Sequence, residues 1–346
     1  DMGSPRRAKD LLRRSKAYLS VGHDEYWSYE QRDAIERARR ELGTHLFFWS
    51  ANEAYWAVRF EPSKVDAFDD DPSVVVVPRD DSDDEATRRT LVCYKETQSI
   101  EKLDPLLDKW TGTFRDARDI NPRGALPENA LSGVMFAANA QRNDALVVDP
   151  LRFGAHRLWA GTSVRAAFDA KRADPVVLYS SILGHEWDAP LDNGWQPHVL
   201  QKLSQTTVDN VQAIQDWGAT FDSGTATHAL VAHRHPVSHA LTFGAGTVQW
   251  AWGLDDLHDV NDPQRANKYD IRLARDPRGA CRDVQQLTVN VLFEAGLDIP
   301  ALPAFLQKPA PSVDSIAPEA VVDGVYLDQN TGVVTVAGRA SDRGGG

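Results

Sequence analysis

Cysteine is scarce in this chain. Two thiols in 346 residues, Cys93 and Cys281, cannot form a disulfide framework and are too few for a cysteine zinc site. Cys93 falls inside a strand pattern and Cys281 opens a helical one. Neither occupies a strand-to-helix elbow, so both read as structural thiols. Positive charge is short as well. With 38 Lys and Arg against 50 Asp and Glu, the formal net charge is −12. That balance disfavours non-specific nucleic-acid binding and argues against anionic membranes as partners. No apolar run approaches the roughly 20 residues needed to span a bilayer. The opening DMGSPRRAKD has basic residues but lacks the apolar stretch of a signal peptide. G-x-S-x-G elbows and P-loops are also missing.

What remains is the composition of a globular protein: 42% apolar and 25% charged residues, at a length that suits one large domain or two smaller ones. AYLSVG (17–22) reads as a buried strand. From Ser28 the pattern turns helical, with Ala34, Ile35, Ala38 and Leu42 on one face. Ser28 and Gln31 have capping-box spacing, and Gly43 ends the helix. THLFFWS (44–50) is a second buried strand. Strand, helix and strand at this spacing predict a βαβ unit, hence a parallel sheet and an α/β fold.

Further on, residues 66–85 form an acidic insert with nine Asp or Glu and one base, Arg79. Its carboxylates suit calcium, but the ordered Asp-x-Asp-x-Asp-Gly loop is missing, so it reads first as a solvated loop. RTLVCYKE (89–96) and DPVVLYSSILGHEWD (174–188) read as further strands. THALVAHR, HALTFGAG and TVQWAWGLDD (227–256) read as strands joined by short turns. CRDVQQLTVNVLFEAGL (281–297) reads as a helix. A Pro-rich linker, 301–318, then leads to two alternating strands in 319–346, like the first hairpin of a truncated β-sandwich. The chain reads as a piece of a longer, multidomain protein.

The most reactive-looking segment is GHDEYWS (22–28). It follows an apolar strand and precedes a helix start, where parallel sheets bind ligands. LGHEWD (183–188) repeats the form: strand, glycine, then His185, Glu186 and Trp187. The same residues also fit a plain turn, with Tyr and Trp as core residues carrying a polar tip. His228, His233, His235 and His239 scatter over both faces of adjacent strands, which suits packing or surface roles better than a metal site.

Taken together, AYLSVGHDEYWS, FFWSANEAYWAVRFE, TLVCYKE, PENALSGVMF, SSILGHEWD, SGTATHALVAHR, FGAGTVQWAWGLDD and QQLTVNVLFEAGL resemble the C-terminal part of the N,N-dimethylformamidase large subunit and its relatives. The likeness covers most of residues 16–300, within a domain spanning 1–300. It implies a parallel-sheet α/β fold like class I glutamine amidotransferases, without their cysteine nucleophile and with β-rich insertions. The tail resembles the Ig-like domains that follow this module in secreted relatives, which implies an extracellular or cell-surface location. The likeness also implies hydrolysis of a small amide at a mononuclear iron held by two tyrosines and a glutamate. Tyr26 matches one tyrosine and Glu186 the glutamate. The second tyrosine lies upstream of this motif in the amidase; Tyr18, inside a strand pattern here, is not carried over. His185, His23, Glu25 and Asn52 are the expected proton-transfer or orienting residues, with Glu53 and Asp255 behind them. The alternative is a non-catalytic binding module or, given ten tryptophans, a carbohydrate-associated one.

Overall fold

A computed structural model describes residues 12–62, 88–140, 142–255, 280–311, 319–328 and 332–341. The acidic insert 66–85 lies outside them. In chain order the strands are β1 (Ala17–Ser20), β2 (Tyr26–Ser28), β3 (His45–Phe48), β4 (Trp56–Pro62), β5 (Arg88–Val92), β6 (Met135–Asn139), β7 (Asp144–Val148) and β8 (Val176–Leu183). They continue with β9 (Glu186–Ala189), β10 (Gln201–Lys202), β11 (Thr206–Ile214), β12 (Phe221–His228), β13 (Val231–Arg234), β14 (Leu241–Gly244), β15 (Glu319–Leu327) and β16 (Val334–Ser341). The described α-helices are α1 (Tyr29–Arg37), α2 (Asn129–Ser132), α3 (Pro150–Phe153), α4 (Ser163–Asp169) and α5 (Arg282–Glu294).

The first βαβ unit forms as the spacing predicts. β1 and β3 pair in parallel, Ala17 opposite His45 through Ser20 opposite Phe48. Between them, α1 starts where Ser28 Oγ accepts the Gln31 N–H at 3.1 Å. It ends in a π-type turn, Ala38–Leu42, closed by Gly43 at φ +71°, a conformation that glycine adopts without strain.

Beyond this unit, the expected parallel-sheet, amidotransferase-like α/β fold gives way to a β-rich one. The central sheet runs β1-β3-β14-β13-β10, and only β1, β3 and β14 are parallel. β13 and β10 join antiparallel. A four-stranded antiparallel sheet, β12-β11-β6-β9, stands beside it, with small sheets β2-β4-β5 and β7-β8. The reason lies in the connections. A parallel neighbour needs a crossover of a dozen or more residues, whereas β11 to β12 and β13 to β14 are joined by short turns that force hairpins. TVQWAWG is not a strand either: Trp250–Gly253 is a 3-10 turn.

β3 explains the run of apolar residues in LFFW. Alternate side chains face opposite sides of the sheet. Phe47 and Trp49 enter a large core with Trp159, Tyr179, Trp187, Phe243, Trp250 and Leu287. Leu46 and Phe48 enter a second core with Trp27, Ile35, Trp110 and Phe114. Burial on both faces requires apolar residues at every position.

Towards the C-terminus, the segment read as a linker touches the body. The buried Gln286 side chain grips the Gln307 backbone twice, Nε2 donating to O and Oε1 accepting from N–H, both at 2.8 Å. β15 and β16 pair as an exposed hairpin. No described helix is long and apolar enough to cross a membrane.

Because Phe47 is fully buried, Phe47→Ala should cost about 3–5 kcal/mol, the range for emptying an aromatic core site. Leu19→Ala, at a side chain 48% exposed on the adjacent strand, should stay within about 0.5 kcal/mol. Urea denaturation of the two variants measures the difference.

Candidate active site

The exit loops of β1 and β3 turn to the same edge of the sheet. Backbone bonds zip them together: Ala54 N–H donates to Asp24 O at 3.0 Å, and Tyr55 and Trp56 N–H donate to Glu25 O at 2.9 and 3.0 Å. The end of β14 holds β9 against them. Asp188 N–H donates to Gly246 O at 2.9 Å, and Val248 N–H donates to Glu186 O at 3.2 Å. His23 and Glu25 thus come from one loop, Asn52 and Glu53 from the next, and His185, Glu186 and Asp188 from the start of β9.

Asn52 lies at the centre. Its φ is +52° and that of Ala54 is +53°, so the loop is held in a left-handed conformation that Asn tolerates and Ala resists. The Asn52 backbone N–H donates to Asp188 Oδ1 at 2.8 Å. Its side-chain Nδ2 is 2.8 Å from Glu186 Oε2, 3.2 Å from Glu25 Oε1 and 3.3 Å from His23 Nε2. An NH2 group has two hydrogens for these three neighbours. His23 Nε2 is itself 3.0 Å from Glu186 Oε2 and 3.7 Å from Glu25 Oε2. With a proton on Nε2, His23 donates to Glu186 and Asn52 donates to the two carboxylates. Every donor then has an acceptor, which fixes the tautomer and the amide orientation by hydrogen-bond logic.

These contacts separate the two carboxyl groups. Burial raises the pKa of Glu25 against the counter-pull of His23. Burial also pushes Glu186 up, but its bonds to His23 and Asn52 outweigh that and hold it below the usual carboxylate range. For His23, burial opposes the charge, and Glu186, Glu25 and Asp188 together overcome it, so its pKa is raised. Burial lowers that of His185.

Tyr26 opens β2 beside Trp56 of β4. Lys95, at φ +49°, lays its ammonium 5.4 Å from the Tyr26 ring centre and 4.8 Å from that of Trp56. Its charge also acts on Glu25. The contacts therefore run from Tyr26 through Lys95 to Glu25, and from Glu25 through Asn52 to Glu186. Asp255 is exposed, beyond the Trp250–Gly253 turn.

Two members escape a reading of sequence. Lys95 is a single lysine after a strand and leaves no periodic mark. Asp188 leaves a usable one: it stands two residues beyond Glu186 in a strand, hence on the same face. The intervening Trp187 is in the core.

As donors, Glu186 and Tyr26 suit a hard cation such as ferric iron. Tyr18 does not join them, because its buried hydroxyl donates to Asp24 Oδ2 at 3.3 Å, and burial beside Asp24 and Glu53 keeps the phenol protonated. Among the described residues, no three of His, Cys, Asp and Glu are grouped to hold a metal.

Burial pushes Asp188 up to about 7. A folded-state pKa above the unfolded one gives stability that is complete below about 3.9 and lost as pH rises towards 7. Replacing Asp188 with Asn keeps an acceptor for Asn52 N–H and removes the titration. Relative to Asp188→Asn, the wild type should lose up to about 4 kcal/mol between pH 4 and pH 8. Parallel denaturation curves across that range test this; equal pH slopes would refute it.

No curated protein matches the chain. A family model described as N,N-dimethylformamidase beta subunit-like, C-terminal, matches residues 3–267, well over half of the sequence, and the chain belongs to that family.

Proposed function

We propose that this module hydrolyses a small, non-peptide amide. One observation carries the reading: two carboxyl groups, pushed in opposite directions, flank a single imidazole. Environments that drive paired carboxyls apart divide acid and base roles. The side chains are open enough for a small substrate, with His23 37%, Glu25 18% and Glu186 15% exposed. Family membership supports the same chemistry.

Glu25, with its raised pKa, takes a proton from water as the water oxygen bonds to the carbonyl carbon. Asn52 keeps one Nδ2 hydrogen on Glu186; the other turns from Glu25, as Glu25 takes up its proton, to the carbonyl oxygen where negative charge gathers. His23, its charge supported by Glu186, protonates the departing nitrogen as the C–N bond breaks. The proton on Glu25 then returns to His23, and the carboxylic acid and amine leave. His185, kept neutral by burial, orients the amide. Glu186 and Tyr26 would hold an iron ion, which when bound polarises the amide carbonyl.

The tryptophans do not favour a carbohydrate site. Trp27, Trp49, Trp56, Trp110, Trp159, Trp187 and Trp250 are buried, and of the other three only Trp195 and Trp217 are exposed.

Amine release from N,N-dimethylformamide, with ferric iron supplied, tests the reading. Glu25→Gln and Glu186→Gln should each lower kcat/KM by about 10² or more. Full turnover in Glu25→Gln would remove it from the mechanism. Ferric titration should also bring a phenolate-to-iron absorption band that Tyr26→Phe abolishes. If the wild type shows no band, Tyr26 is not a ligand.

A further inference from the structure

Beneath the reactive cluster lies an acid that the proposed reaction does not use. Glu53 is 5% exposed, and neither of its carboxyl oxygens has a hydrogen-bond partner. The groups facing it are Asp188 from β9, Asp24 from the loop after β1, and Ser20 and Tyr18 from β1. Ser20 Oγ is already committed, donating to Asp24 Oδ2 at 2.8 Å, as is the Tyr18 hydroxyl at 3.3 Å. No cation is among these groups.

We propose that Glu53 is a neutral, proton-bearing carboxylic acid at pH 7 and above, and that it is the positioning residue of the Asn52 loop. An ionised carboxylate here would be a buried charge beside two others, without a donor to satisfy it. Protonation resolves both problems. It removes the charge and creates one O–H donor in a space whose other groups are acceptors. Burial and the two neighbouring carboxyls push its pKa well up, in agreement with the geometry.

The consequence is positional. Glu53 lies between Asn52 and Ala54, the two left-handed residues of the loop. A neutral Glu53 can stay turned inward and keep that backbone in place. An ionised Glu53 would be driven towards water and would carry the Asn52 amide with it. The assignment stands on burial and contacts, so it does not depend on the amidase reading.

Infrared spectroscopy of the full chain tests it. In the wild type at pH 8, a carbonyl stretch of a protonated carboxyl should be present. It should shift on labelling with 13C-glutamate, which distinguishes it from Asp188. Glu53→Gln, neutral and of equal shape, should lose the band and keep the melting temperature. Glu53→Ala should lose both stability and turnover. The absence of a glutamate-derived band at pH 8 in the wild type would overturn the proposal, even if no variant folds. A band that persists in Glu53→Gln would overturn it equally. If turnover is absent throughout but the band behaves as stated, the amidase reading fails and this one stands.

Discussion

A backbone hydrogen bond anchors the two halves of the candidate site to each other. The Asn52 backbone N–H meets Asp188 across 136 residues of sequence. On one side of it is the parallel core of the central sheet; on the other is β9 of the antiparallel sheet. It sets the Asn52 backbone against β9, beside the direct contacts that Asn52 and His23 make with Glu186. The bond works because both ends are constrained. Asn52 is caught in a left-handed turn, and Asp188 is pinned by its own N–H on Gly246.

Charge is the second constraint. Asp24, Glu25, Glu53, Glu186 and Asp188 crowd one small volume, and few cations answer them. His23 serves Glu186 and Glu25, Lys95 reaches Glu25, and the buried Arg115 acts on Asp188. The outer acids are balanced by positive side chains and hydrogen bonds. Further in, desolvation favours protons instead. The site thus grades from ionised at its mouth to neutral at its floor, and a gradient of this kind lets neighbouring carboxyls take different chemical roles.

Much of this is legible in the sequence, for identifiable reasons. The first βαβ unit announces itself by apolar runs, a serine cap and a closing glycine. His23, Glu25, Asn52, His185 and Glu186 stand out as polar residues at strand ends, and the fold brings them together. One good βαβ unit does not, however, extend to a whole parallel sheet. The short turns after Thr227 already demand antiparallel pairing, because strand direction is set by the connection and not by the strand's own residues. Lys95 is invisible because its contacts are made by folding, with Tyr26 and Trp56 brought to it from distant segments.

The grip of Gln286 on the Gln307 backbone has a mechanical meaning. A side-chain amide that binds main-chain N–H and C=O reads no side chain, so any residue at position 307 that keeps its N–H, hence any but proline, can be held in this way. Tension applied through the β15–β16 hairpin would meet this clasp before it met the body of the protein. Both bonds of one amide must yield at nearly the same moment. The load would pass into α5 and the large core behind it, and the left-handed Asn52 loop would feel little of the strain.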